Sequence, residues 1–102
     1  MSISHEDIGD NLRRIVITGR LDMPGTESVA SKLEELVAAP KKGVVVDLSS
    51  VRFLASIGIR LLLTSARAQA GRGGKLVLAA PQPQVRKILE GAGIDQLVAL
   101  AP

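Results

Sequence analysis

The chain has 102 residues, of which 46% are apolar and 1% aromatic, and its net charge is +3. That length suits one domain, here expected over residues 1–102, with a core of aliphatic side chains. The chain has no cysteine, which excludes disulfides, thiolate metal sites and cysteine nucleophiles and fits a reducing cytoplasm. It shows neither a signal peptide nor an apolar run of membrane-spanning length. We therefore expect a cytoplasmic domain without a membrane partner.

The residue types exclude most catalytic and nucleic-acid functions. The basic residues are spread along the chain, and no aromatic residues interleave with them to stack on bases, so we predict no direct nucleic-acid binding. The single histidine, His5, has no second base or metal ligand in its segment, and no pair of acids suits acid–base catalysis. The sequence predicts a protein-binding module without a cofactor, not an enzyme.

The first part of the chain alternates strand and helix patterns. Residues 2–6 and 12–20 read as an antiparallel hairpin around the turn sequence GDN. Residues 23–26 are predicted to be a loop that precedes a helix ending near residue 38. The apolar positions of this helix recur at spacings of three and four, at Val29, Leu33, Leu36 and Val37.

The centre of the chain is the segment from residue 43 to residue 63. Three consecutive valines at 44–46 are typical of a strand buried on both faces. Asp47 is expected to end this strand, and the two serines at 49 and 50 to form a polar turn. A helix pattern begins near Ser56, which is predicted to occupy the N-cap position. A serine there is either a plain cap or a hydroxyl that can carry a phosphoryl group.

The helix after Ser56 has three predicted faces. The core face consists of Ile59, Leu62, Leu63, Ala66 and Ala70. The polar face consists of Arg60, Thr64 and Arg67. The third stripe is mildly apolar and consists of Ile57, Leu61, Ser65 and Ala68. It is either the margin of the core or a contact surface for a partner protein.

The last part of the chain continues the alternation. Residues 71–74 (GRGG) are glycine-rich, but they lack the Lys-Ser/Thr ending of a phosphate-binding loop and follow a helix instead of a strand. They are therefore predicted to cap the end of the helix and to form a turn. Residues 75–79 and 97–100 read as strands, with a short helix at 84–90 between them. Strands that alternate with helices predict an α/β fold with parallel central strands.

Four segments of this chain resemble a known family. They are GRLD at 19–22, VDLS at 46–49, FLASIG at 53–58 and RKILEGAGI at 86–94. In this order they are similar to the STAS domain and, more narrowly, to the anti-sigma factor antagonists of bacterial partner switching. The resemblance covers essentially the whole chain. It implies a single α/β domain with a mixed sheet of about four to five strands, an antiparallel N-terminal strand and about three to four helices.

The resemblance also implies a mechanism. An unphosphorylated antagonist binds an anti-sigma factor that is also a serine kinase of the GHKL type, and the sigma factor is released. The kinase then phosphorylates a serine at the start of the second helix, which dissociates the complex, and a serine phosphatase resets the cycle. The residue that matches this serine is Ser56.

The same resemblance places a partner-binding surface around that serine. Its predicted members are Asp22, Ala55, Ser56, Ile57, Gly58, Arg60 and Leu61. Asp22 and Asp47 have two open interpretations: acids that line the surface around Ser56, or loop acids that accept hydrogen bonds from nearby backbone N–H groups.

The chain departs from the family pattern next to the serine. Family members commonly have an acid before it and a hydroxyl residue after it, whereas this chain has Ala55 and Ile57. Arg60 stands where a small residue is often found. The alternative prediction is therefore a non-switching STAS scaffold, or a soluble subunit of a signalling or lipid-transport complex, in which Ser56 is only a cap. A small ligand-binding domain or enzyme is the remote alternative.

Overall fold

The computed structural model describes residues 2–38 and 43–102. These residues form five strands and three α-helices, with a single 3₁₀ turn at Ile94–Gln96. In chain order the elements are β1 (Ser2–Ile8), β2 (Leu12–Leu21), α1 (Met23–Ala38), β3 (Gly43–Leu54), α2 (Ser56–Gly71), β4 (Lys75–Ala79), α3 (Pro83–Gly91) and β5 (Ala99–Ala101). The predicted alternation of strands and helices is confirmed.

The strands form one mixed sheet in the order β1-β2-β3-β4-β5. β1 pairs antiparallel with β2, and all other neighbouring strands are parallel. Each parallel connection passes through a helix and moves one strand further in the same direction. Right-handed crossovers of this kind place α1, α2 and α3 on the same face of the sheet. The predicted mixed sheet with an antiparallel N-terminal strand is therefore confirmed.

The core lies between this sheet face and the helices. Alternate residues of the central strands point into it, as Ile15 and Ile17 do from β2 and Val46 does from β3, and all three are fully buried. Each helix adds aliphatic side chains, and the predicted inner face of α1 is buried throughout. The largest fully buried side chains of the three helices include Leu33, Leu62 and Leu89.

The start of α1 differs from the prediction. α1 begins at Met23, so the predicted loop at residues 23–26 is wrong. Asp22 caps the helix, because its Oδ1 accepts a hydrogen bond from the Gly25 backbone N–H at 2.9 Å. The Asp22 carbonyl also accepts the N–H of Thr26 at 2.9 Å. Pro24 lies in the first turn, where its missing N–H removes no helix hydrogen bond.

The central strand does not end at Asp47, contrary to the prediction. β3 continues through Ser49 and Ser50 to Leu54, so the predicted polar turn at the two serines is wrong. The part of β3 after Asp47 pairs with the end of β2, and its last residue, Leu54, lies opposite Leu21. The pairing of the two strands contains two irregularities of register before this point. Both serines are exposed, which explains why a strand here resembles a turn in sequence.

Two further positions differ from the prediction. Ala70, predicted on the core face of α2, is exposed, whereas Leu61 and Ser65 of the third stripe are buried. The third stripe faces α1, and its residues Leu61 and Ser65 belong to the core.

The last strand begins at Ala99 and not at Leu97, whose side chain is 62% exposed.

The start of α2 lies unusually close to the sheet. A Cβ atom at Gly58 would lie 2.9 Å from both the Cβ and the carbonyl oxygen of Leu21, and equally close to Cδ1 of Leu54. Part of that contact is backbone, so it cannot relax by a change of rotamer. Glycine at this position is what allows α2 to begin against the ends of β2 and β3.

Gly58→Ala is therefore expected to lower the free energy of unfolding by about 1–3 kcal/mol, because the added methyl group overpacks this contact. Gly71→Ala is the matched control, since a Cβ atom there meets open space at the end of the same helix. That change should be neutral or stabilising by up to about 1 kcal/mol. Urea unfolding measures both variants. Wild-type stability of Gly58→Ala would contradict the tight approach.

Asp47 stabilises the middle of the sheet. Its side chain is on β3, next to Val16 of β2, and the residue is 8% exposed. The carboxylate accepts hydrogen bonds from the Ser49 backbone N–H at 2.9 Å and from the Arg14 guanidinium. Burial raises the pKa of Asp47, but the hydrogen bonds from Ser49 and the charge of Arg14 outweigh it. The pKa of Asp47 therefore lies below its ordinary value of 3.8.

Asp47→Asn should lower the free energy of unfolding by about 1–2 kcal/mol at pH 7, because Arg14 loses the more buried of its two acidic partners, Asp47 and Glu6. A carboxyl group with a depressed folded-state pKa stabilises the fold above its unfolded-state pKa. That stability is lost as the pH falls through the folded-state pKa. The difference from wild type should thus be constant from about pH 5 to 7 and shrink below about pH 4. Urea unfolding across this range measures it, and a pH-independent difference would argue against the ion pair.

Candidate functional site

Ser56 is the first residue of α2 and not its cap. Ala55 occupies the N-cap position, with φ −91° and ψ 170°, and no side chain caps this helix. The Ala55 carbonyl accepts the first helical hydrogen bond, from the Ile59 N–H at 3.0 Å. The prediction of Ser56 as the N-cap is therefore wrong by one position. Its side chain is exposed, and its hydroxyl has no capping role.

The start of α2 favours negative charge. Unpaired backbone N–H groups and the helix dipole make the beginning of any helix electropositive. The first turn of α2 contains no acidic side chain that would offset this. At the start of α1, by contrast, the carboxylate of Asp22 already accepts a backbone N–H. A negative group on Ser56 would therefore meet N–H groups that no other side chain satisfies.

An open cavity of about 440 Å³ lies in front of Ser56. Its lining consists of Met23, Ala55, Ser56, Ile57 and Arg60. Met23 is 61% exposed, and Arg60 is also exposed. The surface thus combines a hydroxyl, a guanidinium and two large apolar side chains. Four of these residues belong to the predicted site, and the structure brings them together.

Met23 is the residue of this surface that the sequence did not predict. It was expected in a loop, but it begins α1 and so lies beside the start of α2. The two helix starts meet because the Ala55 N–H donates to the carbonyl of Leu21 at 3.0 Å. An exposed methionine next to a turn-like Pro-Gly sequence gives little signal of a helix start.

The other predicted site residues, Asp22, Gly58 and Leu61, do not line this cavity. Gly58 is buried against β2 and β3, and Leu61 is 8% exposed and part of the core. Asp22 caps α1, and one of its carboxylate oxygens lies 3.5 Å from Nε of Arg20. The interpretation of Asp22 as an acid that binds a backbone N–H is confirmed. A role of these three residues in partner binding stays a prediction.

Asp47 does not line this surface. It pairs with Ala79 on β4, and roughly 20 Å of strand separates it from the end of β3. Its carboxylate accepts the backbone N–H of Ser49. Of its two interpretations, the acid that binds a nearby backbone N–H is therefore correct.

A groove of about 220 Å³ between α1 and α2 extends the surface. Its α1 side consists of Thr26, Glu27, Ala30 and Glu34. Its α2 side consists of Ile57, Arg60, Leu61 and Thr64. Ile57 and Arg60 line both the groove and the cavity. The interpretation of the third stripe as a contact surface therefore stays open for Ile57.

Two features are absent from the described part of the chain. Within residues 2–38 and 43–102, no group of three or more His, Cys, Asp or Glu side chains could hold a metal ion. Among the same residues, no helix is both long enough and apolar enough to cross a membrane. The groups that the site offers are the Ser56 hydroxyl, the N–H groups of α2 and the Arg60 guanidinium.

Several solved structures share this fold. An anti-sigma factor antagonist from Mycobacterium paratuberculosis is 25% identical, with a TM-score of 0.85 over 99% of this chain and 86% of that chain. A serine-to-glutamate variant of RsbS from Moorella thermoacetica is 25% identical, with a TM-score of 0.77 over 99% and 86% of the two chains. The phosphorylated form of the Bacillus cell fate determinant SpoIIAA is 20% identical, with a TM-score of 0.73 over 99% and 92%, and shows similarity of fold alone.

A family model gives the same result from sequence. The model described as "Mlab, STAS domain" matches residues 4–99, which run from β1 to the first residue of β5. The four segments that suggested the resemblance all lie within this match. The chain therefore belongs to the STAS-domain family and shares its fold with the anti-sigma factor antagonists.

Proposed function

We propose that this protein is an anti-sigma factor antagonist whose partner binding is controlled by phosphorylation of Ser56. The observation that carries the proposal is the position of the Ser56 hydroxyl. It is exposed, caps nothing, and stands at an electropositive helix start beside Met23 and Ile57. The similar fold of SpoIIAA, whose structure is known in unphosphorylated and phosphorylated forms, supports it.

The proposed partner is an anti-sigma factor that is also a GHKL-type serine kinase, in the cytoplasm. The Oγ atom of Ser56 attacks the γ-phosphorus of ATP held by the kinase. A new Oγ–P bond forms, the bond from the γ-phosphorus to the β–γ bridging oxygen breaks, ADP leaves, and the hydroxyl proton passes to a base of the kinase. A serine phosphatase hydrolyses the phosphoester and restores the hydroxyl. In this cycle the chain is a substrate and a binding module, and it needs no cofactor.

The charge of the phosphoryl group explains how one modification separates the complex. A neutral hydroxyl acquires about two negative charges at pH 7. Within an interface formed by Met23 and Ile57, these charges lose their hydration and repel acidic groups of the partner. The start of α2 stabilises the charge in the free protein. The switch therefore requires a change of complementarity at one point and no change of fold.

Ser56→Ala should abolish phosphorylation, because it removes the acceptor oxygen. Intact-mass and peptide mass spectrometry after incubation with the kinase and ATP measures this. Ser31→Ala is the control, because it removes an exposed hydroxyl on α1 that lines neither the cavity nor the groove, and it should leave labelling complete. Since Ser56 does not cap α2, its replacement should change the free energy of unfolding by less than about 0.5 kcal/mol. Full labelling of Ser56→Ala would overturn the assignment.

Ser56→Glu should weaken binding to the anti-sigma factor by about tenfold or more, because it places a fixed charge inside the interface. Ala70→Glu adds the same charge at an exposed position at the other end of α2 and should leave the affinity unchanged. Isothermal titration calorimetry gives both dissociation constants. Equal affinities of wild type and Ser56→Glu would remove the proposed switch.

A STAS subunit that binds without switching is the second candidate. Ala55 and Ile57 stand where the family commonly has an acid and a hydroxyl residue, and the matching family model carries the name Mlab. Such a subunit of a signalling or lipid-transport complex would keep its partner with either alanine or glutamate at position 56. Unmodified Ser56 together with equal affinity of Ser56→Ala and Ser56→Glu would favour this candidate over the switch.

A further inference from the structure

We infer that Arg60 is the intramolecular counter-ion of a phosphoryl group on Ser56, an inference that rests on the proposed phosphorylation. Both side chains line the same cavity of about 440 Å³. They are separated by four positions on α2, and side chains at this spacing are neighbours on a helix surface. A guanidinium also matches the geometry of phosphate oxygens, to which it can donate two parallel hydrogen bonds.

Arg60 has no acidic partner that would compete with the phosphate. The side chain of Arg60 is exposed, and its guanidinium forms no ion pair with any acid in residues 2–38 and 43–102. Several other arginines of the described chain have partners. Arg14 pairs with Asp47, and Arg20 lies 4.5 Å above the ring of Phe53. Arg60 is thus a cation in the serine cavity that the free protein leaves unneutralised.

The charged groups on the neighbouring elements leave this pairing undisturbed. Asp22 and Arg20, before α1, lie 3.5 Å apart and pair with each other. Arg52 on β3 lines a separate cavity with these two residues. Glu27 and Glu34 on α1 line the groove together with Arg60, but neither forms an ion pair with it. None of these five residues lines the cavity of Ser56, so Arg60 is the charged side chain among the described residues that a phosphate there would meet first.

The pairing changes what a partner protein meets. The unmodified surface presents one cation between apolar side chains, and a phosphoryl group would bring the local charge from +1 to about −1. The phosphate would also occupy the guanidinium donors that an acidic group of a partner would otherwise use. Phosphorylation would therefore add a repulsive charge and withdraw an attractive one in the same step.

The test installs phosphoserine at position 56 of the full chain during translation, so that no kinase is needed. A ³¹P NMR titration then gives the second pKa of the phosphate. Arg60 stabilises the dianion, so Arg60→Gln should raise that pKa by about 0.2–0.4 pH unit. Arg67→Gln is the matched control, because it removes an exposed cation from the same helix two turns further on. That change should shift the pKa by less than about 0.1 unit.

Two further measurements separate charge pairing from a structural role. Arg60→Lys keeps the charge, so the second pKa of the phosphate in this variant should lie close to the wild-type value. If Arg60 had a merely structural role, Arg60→Lys would raise this pKa as much as Arg60→Gln does. The difference between wild type and Arg60→Gln should also shrink at about 1 M salt, because the pair is exposed. Equal pKa values in wild type and Arg60→Gln would overturn the inference. The kinase does not enter this experiment, so a failure of the proposed phosphorylation would appear in the labelling assay and not here.

Discussion

The close approach of α2 to the sheet determines where the candidate site lies. Gly58 sits where any Cβ atom would meet Leu21 and Leu54 at 2.9 Å, and the Ala55 N–H donates to the Leu21 carbonyl. Leu21 and Leu54 are themselves paired across the sheet, so these contacts join the ends of two strands to the start of one helix. Met23 follows two residues after Leu21 and brings α1 to the same point. The site is therefore positioned by backbone packing, which a modification of an exposed side chain does not disturb.

The two helix starts that meet at this point differ in their capping. α1 begins with a carboxylate cap from Asp22, which satisfies an N–H group and complements the helix dipole. The N-cap of α2 is Ala55, which offers no side-chain oxygen, so this helix lacks about 1 kcal/mol of capping stability. The N-cap that lacks a side-chain acceptor is therefore the residue directly before Ser56. A phosphoryl group would thus add charge where the fold has left the N–H groups of a helix without a carboxylate.

The order of elements and the inner face of α1 were predictable because burial imposes periods that the sequence displays. The mixed sheet was expected from the resemblance to the STAS domain. The extension of β3 was not, because Ser49 and Ser50 are exposed on a strand and have the composition of a turn. The start of α1 was missed because Pro24 and Gly25 also occur in loops. Ser56 was predicted as the N-cap although it is the first residue of α2, because an alanine at the N-cap carries no signal of its own. The cavity itself depends on two segments distant in sequence, and only the fold brings them together.

The departures from the family pattern redistribute charge around the serine. An acid directly before Ser56 would repel a phosphate, and Ala55 removes that repulsion, while Arg60 adds attraction one helical turn further on. Under the proposed switch, both changes stabilise the phosphorylated form within the chain itself. A partner that complements the unmodified surface would offer apolar contacts to Met23 and an acid to Arg60. A phosphate on Ser56 would repel that same acid of the partner. Arg60 would therefore favour partner binding when Ser56 is unmodified, and would pair with the phosphate when Ser56 is phosphorylated.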